Sequence, residues 1–227
     1  MAFTFKDWNA QQKQIRAALK SPAEFDTAIE LVLRQHAWTH QGVVSGSTTH
    51  TFADQLWEGL DTDTIRTIPP KGEHSIAWCL YHLAMIEDTA LSILMAGVAM
   101  LLDEGGWGER LKVPYQDTGN LMPESEIQVL SQEIDVEALK EYRSAVGRRS
   151  REFIQALTWD KLKIKVSPAH IQQIAELGAV RPEAEDLLEF WGKRTMEELL
   201  LMPATRHNIV HINESLRLKE KLLRRKK

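Results

Sequence analysis

The stretch Glu73-His-Ser-Ile-Ala-Trp-Cys-Leu-Tyr-His82-Leu-Ala-Met-Ile-Glu-Asp88-Thr-Ala-Leu-Ser-Ile-Leu94 has apolar residues at Ile76, Leu80, Leu83, Ala84, Ala90, Leu91 and Leu94. That spacing is helical and covers much of the circumference, so the segment reads as a central helix running from Glu73 to about Leu102. Working outward, a helix is expected from Pro22 to Gln41, opened by Ser21 and closed by Gly42, and another from Asp135 to Leu157. Residues from Pro168 to Met202 read as two shorter helices divided near Gly178 to Pro182. A last long helix follows Pro203, with Thr205 a candidate cap. Alternating strand patterns are nearly absent, and no repeat or linker stands out. The expectation is an all-α, four-helix bundle with long crossover connections and additional short helices, forming a single domain over residues 1–227. The connection from Asp103 to Gly119 reads as a lid or a structureless crossover.

The chain has 227 residues, 28 Lys+Arg against 32 Asp+Glu, and one cysteine. A chain of this length buries roughly 70–75% of the surface its unfolded form exposes, so a metal is not needed to hold it together. The lone Cys79 cannot form an internal disulfide, and Lys6 and Asp7 interrupt any signal-like apolar stretch, which points to the cytoplasm. Ala90 to Leu102, the longest uncharged apolar run, falls short of the ~20 residues that span a bilayer, and no membrane partner is expected. Seven basic residues fall between Arg217 and Lys227, leaving 21 basic against 31 acidic residues before them. This basic end, roughly 217–227, is read as a solvated helix terminus that complements its own dipole. No aromatic residue interleaves with it, so no nucleic-acid partner is expected.

Histidines carry the candidate chemistry. His36 and His40, and His207 and His211, form two HxxxH pairs, and residues four apart on a helix can bring both imidazoles to one ion. His82 sits mid-helix among apolar neighbours, where a hydrogen-bonded core role competes with ligation. His207 and His211 share a face with Glu214 and Leu218, while Ile209, Ile212, Leu216 and Leu223 form a different stripe, so a helical wheel allows the pair to face solvent. His36 and His40 read as packing and hydrogen-bonding residues, or as a rival ligand pair. Glu87 and Asp88 lie roughly 140° and 240° around the helix from His82 and read as capping or salt-bridge partners. Cys79, one turn before His82, reads as an inert core thiol. HExxH, GxSxG and CxxC are absent.

The segment Ser75 to Asp88, and the later Leu-Leu-Met202-Pro-Ala-Thr-Arg-His207-Asn-Ile-Val-His211-Ile-Asn-Glu214, resemble the DinB-like superfamily over about Ala28 to Lys219. These helical-bundle proteins are grouped with bacillithiol- and mycothiol-dependent thiol transferases. The resemblance implies one divalent metal on His82, His207 and His211, and imidazole ligands suit zinc or nickel. Glu214, seven residues after His207 and three after His211, shares their face and reads as a group that orients an imidazole or acts as a base, or as an ordinary surface glutamate. Three protein ligands leave a coordination position for water or substrate. The implied function is a metal-dependent hydrolase or thiol S-transferase acting on an unidentified small molecule, in a homodimer. The alternative is a non-catalytic, stress-related helical binding or dimerisation module.

Overall fold

The structure is a computed structural model that describes residues 4–70 and 74–225. The expected helix start at Glu73 and the last two basic residues, Lys226 and Lys227, lie outside the described residues. The helices are α1 (Phe5–Ala18), α2 (Phe25–Thr39), α3 (Gly42–Ser45), α4 (Phe52–Trp57), α5 (Thr62–Arg66), α6 (Ile76–Asp88), α7 (Trp107–Arg110), α8 (Glu124–Glu133), α9 (Val136–Ala156), α10 (Pro168–Glu176), α11 (Glu185–Gly192), α12 (Met196–Leu201) and α13 (Asn208–Arg225). Among the described residues the only extended pairing is an isolated antiparallel bridge between Lys165 and Thr195. The fold is all-α.

Helix α6 is the axis of the molecule. Ser75 caps it by accepting from the Trp78 N–H, and every residue from Ile76 to Asp88 except Trp78 is buried. It packs against α9 and α13, and α2 packs against the same two helices. Each of these four helices therefore touches at least two of the others. The helix continues as a π-helix, Thr89–Ala96, and stops at Gly97, whose φ of 70° is left-handed, five residues before the expected end near Leu102. By length and composition Ile76–Ala96 is apolar enough to cross a membrane, but 89% of its most apolar window is buried inside the protein, so that apolarity serves the core.

Helix α9 starts on an Asp135 cap and ends at Ala156, close to the expected bounds. Helix α2 departs from expectation at both ends. Ser21 makes no capping hydrogen bond, a 3₁₀ turn over Pro22–Glu24 precedes the helix, and His40 already has extended backbone (φ −116°, ψ 161°). His36 and His40 therefore do not share one helical face. The segment from Pro168 to Met202 holds three helices rather than two. Thr205 is not a cap: it is buried in a π turn, Met202–His207, and its hydroxyl donates to the Leu200 carbonyl at 2.9 Å.

The connection after α6 is ordered by buried polar contacts. Asp88 accepts from the Leu101 and Leu102 N–H groups, from Ser92 and from Tyr142, which holds the chain beside α6 and α9. At the basic end, Lys219 is not freely solvated. Its ammonium donates to the carbonyls of Gln55 and Glu58, the unpaired C-terminal carbonyls of α4.

Candidate metal centre

His82, His207 and His211 converge. One ring nitrogen from each falls within 4.8 Å of the others, and the His82 and His207 Nε2 atoms are 3.1 Å apart. Helix α6 presents His82 from the core side. His207 closes the π turn and His211 stands one turn further on α13, on the flank of the buried Ile209 and Ile212 stripe, so both are only partly covered. The wheel left this pair free to face solvent; the packing of α6 on α13 brings it to His82.

Outer contacts decide which nitrogen His82 and His211 can offer, whereas His207 Nδ1 is buried without a partner. His82 Nδ1 lies 2.6 Å from the Thr118 carbonyl, which can only accept, so Nδ1 carries the proton and the Nε2 lone pair is free. His211 Nδ1 donates to Glu214 at 2.8 Å, with the same result. Metal-binding histidines almost always donate their other ring N–H to a carbonyl or carboxylate in this way. Nitrogens each ~2.0–2.1 Å from one tetrahedral ion sit roughly 3.3 Å apart, close to the separation of His82 and His207. Burial pushes His82 down to about 4, and burial with the two neighbouring imidazoles pushes His207 well below the usual range, so both rings are neutral at pH 7. Three imidazoles with a ring nitrogen of each within 4.8 Å of the others fit a divalent cation.

The surroundings hold the His82 ring still. Trp78 stacks on it at 5.0 Å with 5° between planes, and His74 stacks on Trp78 in turn. The Thr118 carbonyl is set by a clamped loop: the Thr118 N–H donates to Ala179, the Tyr81 hydroxyl shares its proton between the Tyr115 and Asp117 carbonyls, and Arg181 pairs with Asp117 and Glu126. The stretch expected to be a lid or structureless crossover thus ends in a fixed support for His82. Glu214 also accepts from His74 at 3.3 Å, and these two imidazoles hold its carboxyl well below the ordinary range. Cys79 is buried, and burial pushes its thiol up to about 12, so it stays protonated at neutral pH.

His36 and His40 do not join this group. They meet Glu87, with Nε2 atoms 2.7 and 3.0 Å from its carboxylate, so Glu87 is a buried hydrogen-bond acceptor for both rings and lies outside the His82 group, as its position on α6 suggested. Asp88 takes the capping role. Asn208, which sequence reasoning passed over, donates to Glu87 at 2.7 Å. Its position beside His207 was the available signal.

The family model of the DinB superfamily matches residues 47–215. The chain belongs to the DinB superfamily. The match is narrower than the expected Ala28 to Lys219: it takes in His82, His207, His211 and Glu214, and it begins after His36 and His40. No curated protein matches the chain. The DinB membership and these histidine and carboxylate clusters are compatible with metal binding.

Proposed function

We propose that His82, His207 and His211 bind one divalent cation, zinc or nickel, and that the protein is a metal-dependent hydrolase or thiol S-transferase acting on a small molecule. The observation that carries this is the pair of oriented rings: Thr118 and Glu214 each accept a hydrogen bond from an Nδ1–H, which leaves the His82 and His211 Nε2 lone pairs free in a cluster whose ring nitrogens lie within 4.8 Å of one another. When bound, such an ion supplies Lewis acidity that favours the deprotonated form of a contacting water or thiol near neutral pH. The chain's own residues orient and shield. Glu214, an anion tied to two imidazoles, is a weak base, and its task in this reading is to fix the His211 ring. Substrate approaches from the side of His211 and Glu214, the solvent-facing edge of the cluster. A surface cavity of about 980 Å³, lined by Arg34, Trp38, His50 and Thr51 among others, includes none of the three histidines and is not assigned to substrate. A reducing, cytoplasmic setting suits a thiol substrate and the free Cys79.

Elemental analysis of protein purified without a histidine tag tests the ligands. About one equivalent of metal per chain is expected, falling below a tenth in His207→Ala and in His211→Ala. A stoichiometry unchanged by both substitutions overturns the assignment.

A further inference from the structure

A second polar cluster lies wholly inside the protein. Glu87 is fully buried, and its carboxylate accepts from His36 Nε2 at 2.7 Å, His40 Nε2 at 3.0 Å and Asn208 Nδ2 at 2.7 Å. The two imidazoles stack with centroids 4.2 Å apart. Space for them is built in: a Cβ on Gly147 of α9 would lie 2.5 Å from His40 Nδ1. Arg143, also buried, donates to the Thr39 carbonyl beside them.

Two histidines and a carboxylate are also a plausible donor set for a cation, but the second nitrogens argue otherwise. His36 Nδ1 and His40 Nδ1 are buried without partners. Binding a cation through Nε2 would move both ring protons onto Nδ1, where neither meets an acceptor, whereas two of the three rings at the other centre, His82 and His211, have one; it would also set the cation near the Arg143 guanidinium. With the protons on Nε2, both rings donate to Glu87 and the anion is satisfied. The cluster is a hydrogen-bonded clamp.

The clamp grips the segment that carries His207. Asn208 is the next residue, and its amide also reaches back to the Pro203 carbonyl at 3.4 Å, inside the π turn Met202–His207. A π turn gives up the regular i to i−4 ladder, and Pro203 contributes no N–H, so the turn depends on outside contacts to hold its shape. Glu87 and His82 stand on one helix, five residues apart and about 140° around it. From that single rigid element one side chain meets His207 and the other meets Asn208.

We propose that Glu87, held by His36 and His40, is a positioning residue for the metal centre, acting through Asn208 on the π turn to set the His207 ring against His82. This rests on the reading of His82, His207 and His211 as ligands. The tests are Asn208→Ala, which removes the link and keeps the carboxylate, and Glu87→Gln, which keeps the shape and removes the charge. In each, zinc affinity is measured by competition with a chromophoric chelator and the cobalt(II) absorption bands are recorded, alongside helical circular dichroism. Affinity per folded chain is expected to fall about 10–100-fold with altered cobalt bands and unchanged helix content. Wild-type affinity and an unchanged cobalt spectrum in the folded variants overturn the proposal. If Asn208→Ala fails to fold, Glu87→Gln decides. A second cobalt equivalent that disappears in His40→Ala also overturns it, by making the cluster a cation site. Binding that is unaffected by His207→Ala rejects the ligand assignment instead. The clamp is then judged in metal-free protein by the ring NMR signals of His207, which must move in Asn208→Ala for the proposal to stand.

Discussion

At the residue scale, His40 links burial to pH. Burial is the main influence on its ring and lowers it to about 3, although Glu87 pulls the other way. Glu87 is opposed by burial too, yet the His40 and His36 imidazoles hold it well below the usual carboxylate range. An unfolded histidine titrates near 6.5, so between about 6.5 and 3 the unfolded chain binds the proton that folded His40 refuses. Stability therefore falls as pH drops below 6.5, and Glu87 adds to the loss below about 4.5, where the unfolded carboxylate begins to protonate. One such proton contributes a slope of up to about 1.4 kcal/mol per pH unit. Urea unfolding of metal-free protein between pH 7.5 and 4.5 should show the decline, and His40→Gln should flatten it by part of that amount. An identical slope in the variant would show that His40 does not titrate in this way. The sequence made part of this legible: five residues after His82, Glu87 had to face another side of α6. It did not show that His40 leaves helical backbone, because that turn is set by the Gly147 gap and by Thr51, whose hydroxyl donates to the His40 carbonyl.

At the scale of elements, the readable helices were those whose own pattern carries them. Helix α9 has an Asp135 cap and an apolar face, and α6 is apolar almost all round, so local rules sufficed. Helix α1 was missed because its face toward the core is partly polar: buried Gln11 and Gln12 stand beside Trp8 and Ile15, and Gln12 is anchored only through the distant Leu201 carbonyl. The π turn before α13 left no mark in the apolar spacing either, since it is held by tertiary contacts. The loop over 115–119 is a third such case, and it carries a prediction. Gly119 has a φ of 78°, and a Cβ there would lie 3.3 Å from Trp78 Nε1, the ring stacked on His82. Gly119→Ala should cost about 1–2 kcal/mol from the left-handed backbone alone. By shifting Trp78 and the neighbouring Thr118 carbonyl it should also weaken metal binding several-fold. Thermal unfolding and metal competition on the same sample check both. A stability loss with full metal affinity would mean the loop supports the fold and not the His82 ring.

For the whole molecule, the question is whether a metal would be structural or functional. Buried apolar residues from Trp8 to Ile212 belong to one continuous cluster, drawn from the described helices of both halves of the chain. The three histidines sit at its edge, where His211 retains 21% of its side-chain exposure. A site at the rim closes no long loop that the core does not already close, and the neutral His82 and His207 rings leave no buried charge when the ion departs. Chelation should therefore leave the helical content unchanged at 25 °C. The midpoint of thermal unfolding should still move, because an ion bound only by the folded state stabilises it by mass action, by about 2.7 kcal/mol at a free concentration one hundred times its Kd. For a chain of this size that corresponds to a fall of about 5–10 °C on removal. Circular dichroism before and after dialysis against chelator reads both quantities. Collapse of the helical signal on chelation, as in a zinc finger, would mean that the rim histidines hold the long helices together and that the ion is structural despite the length of the chain.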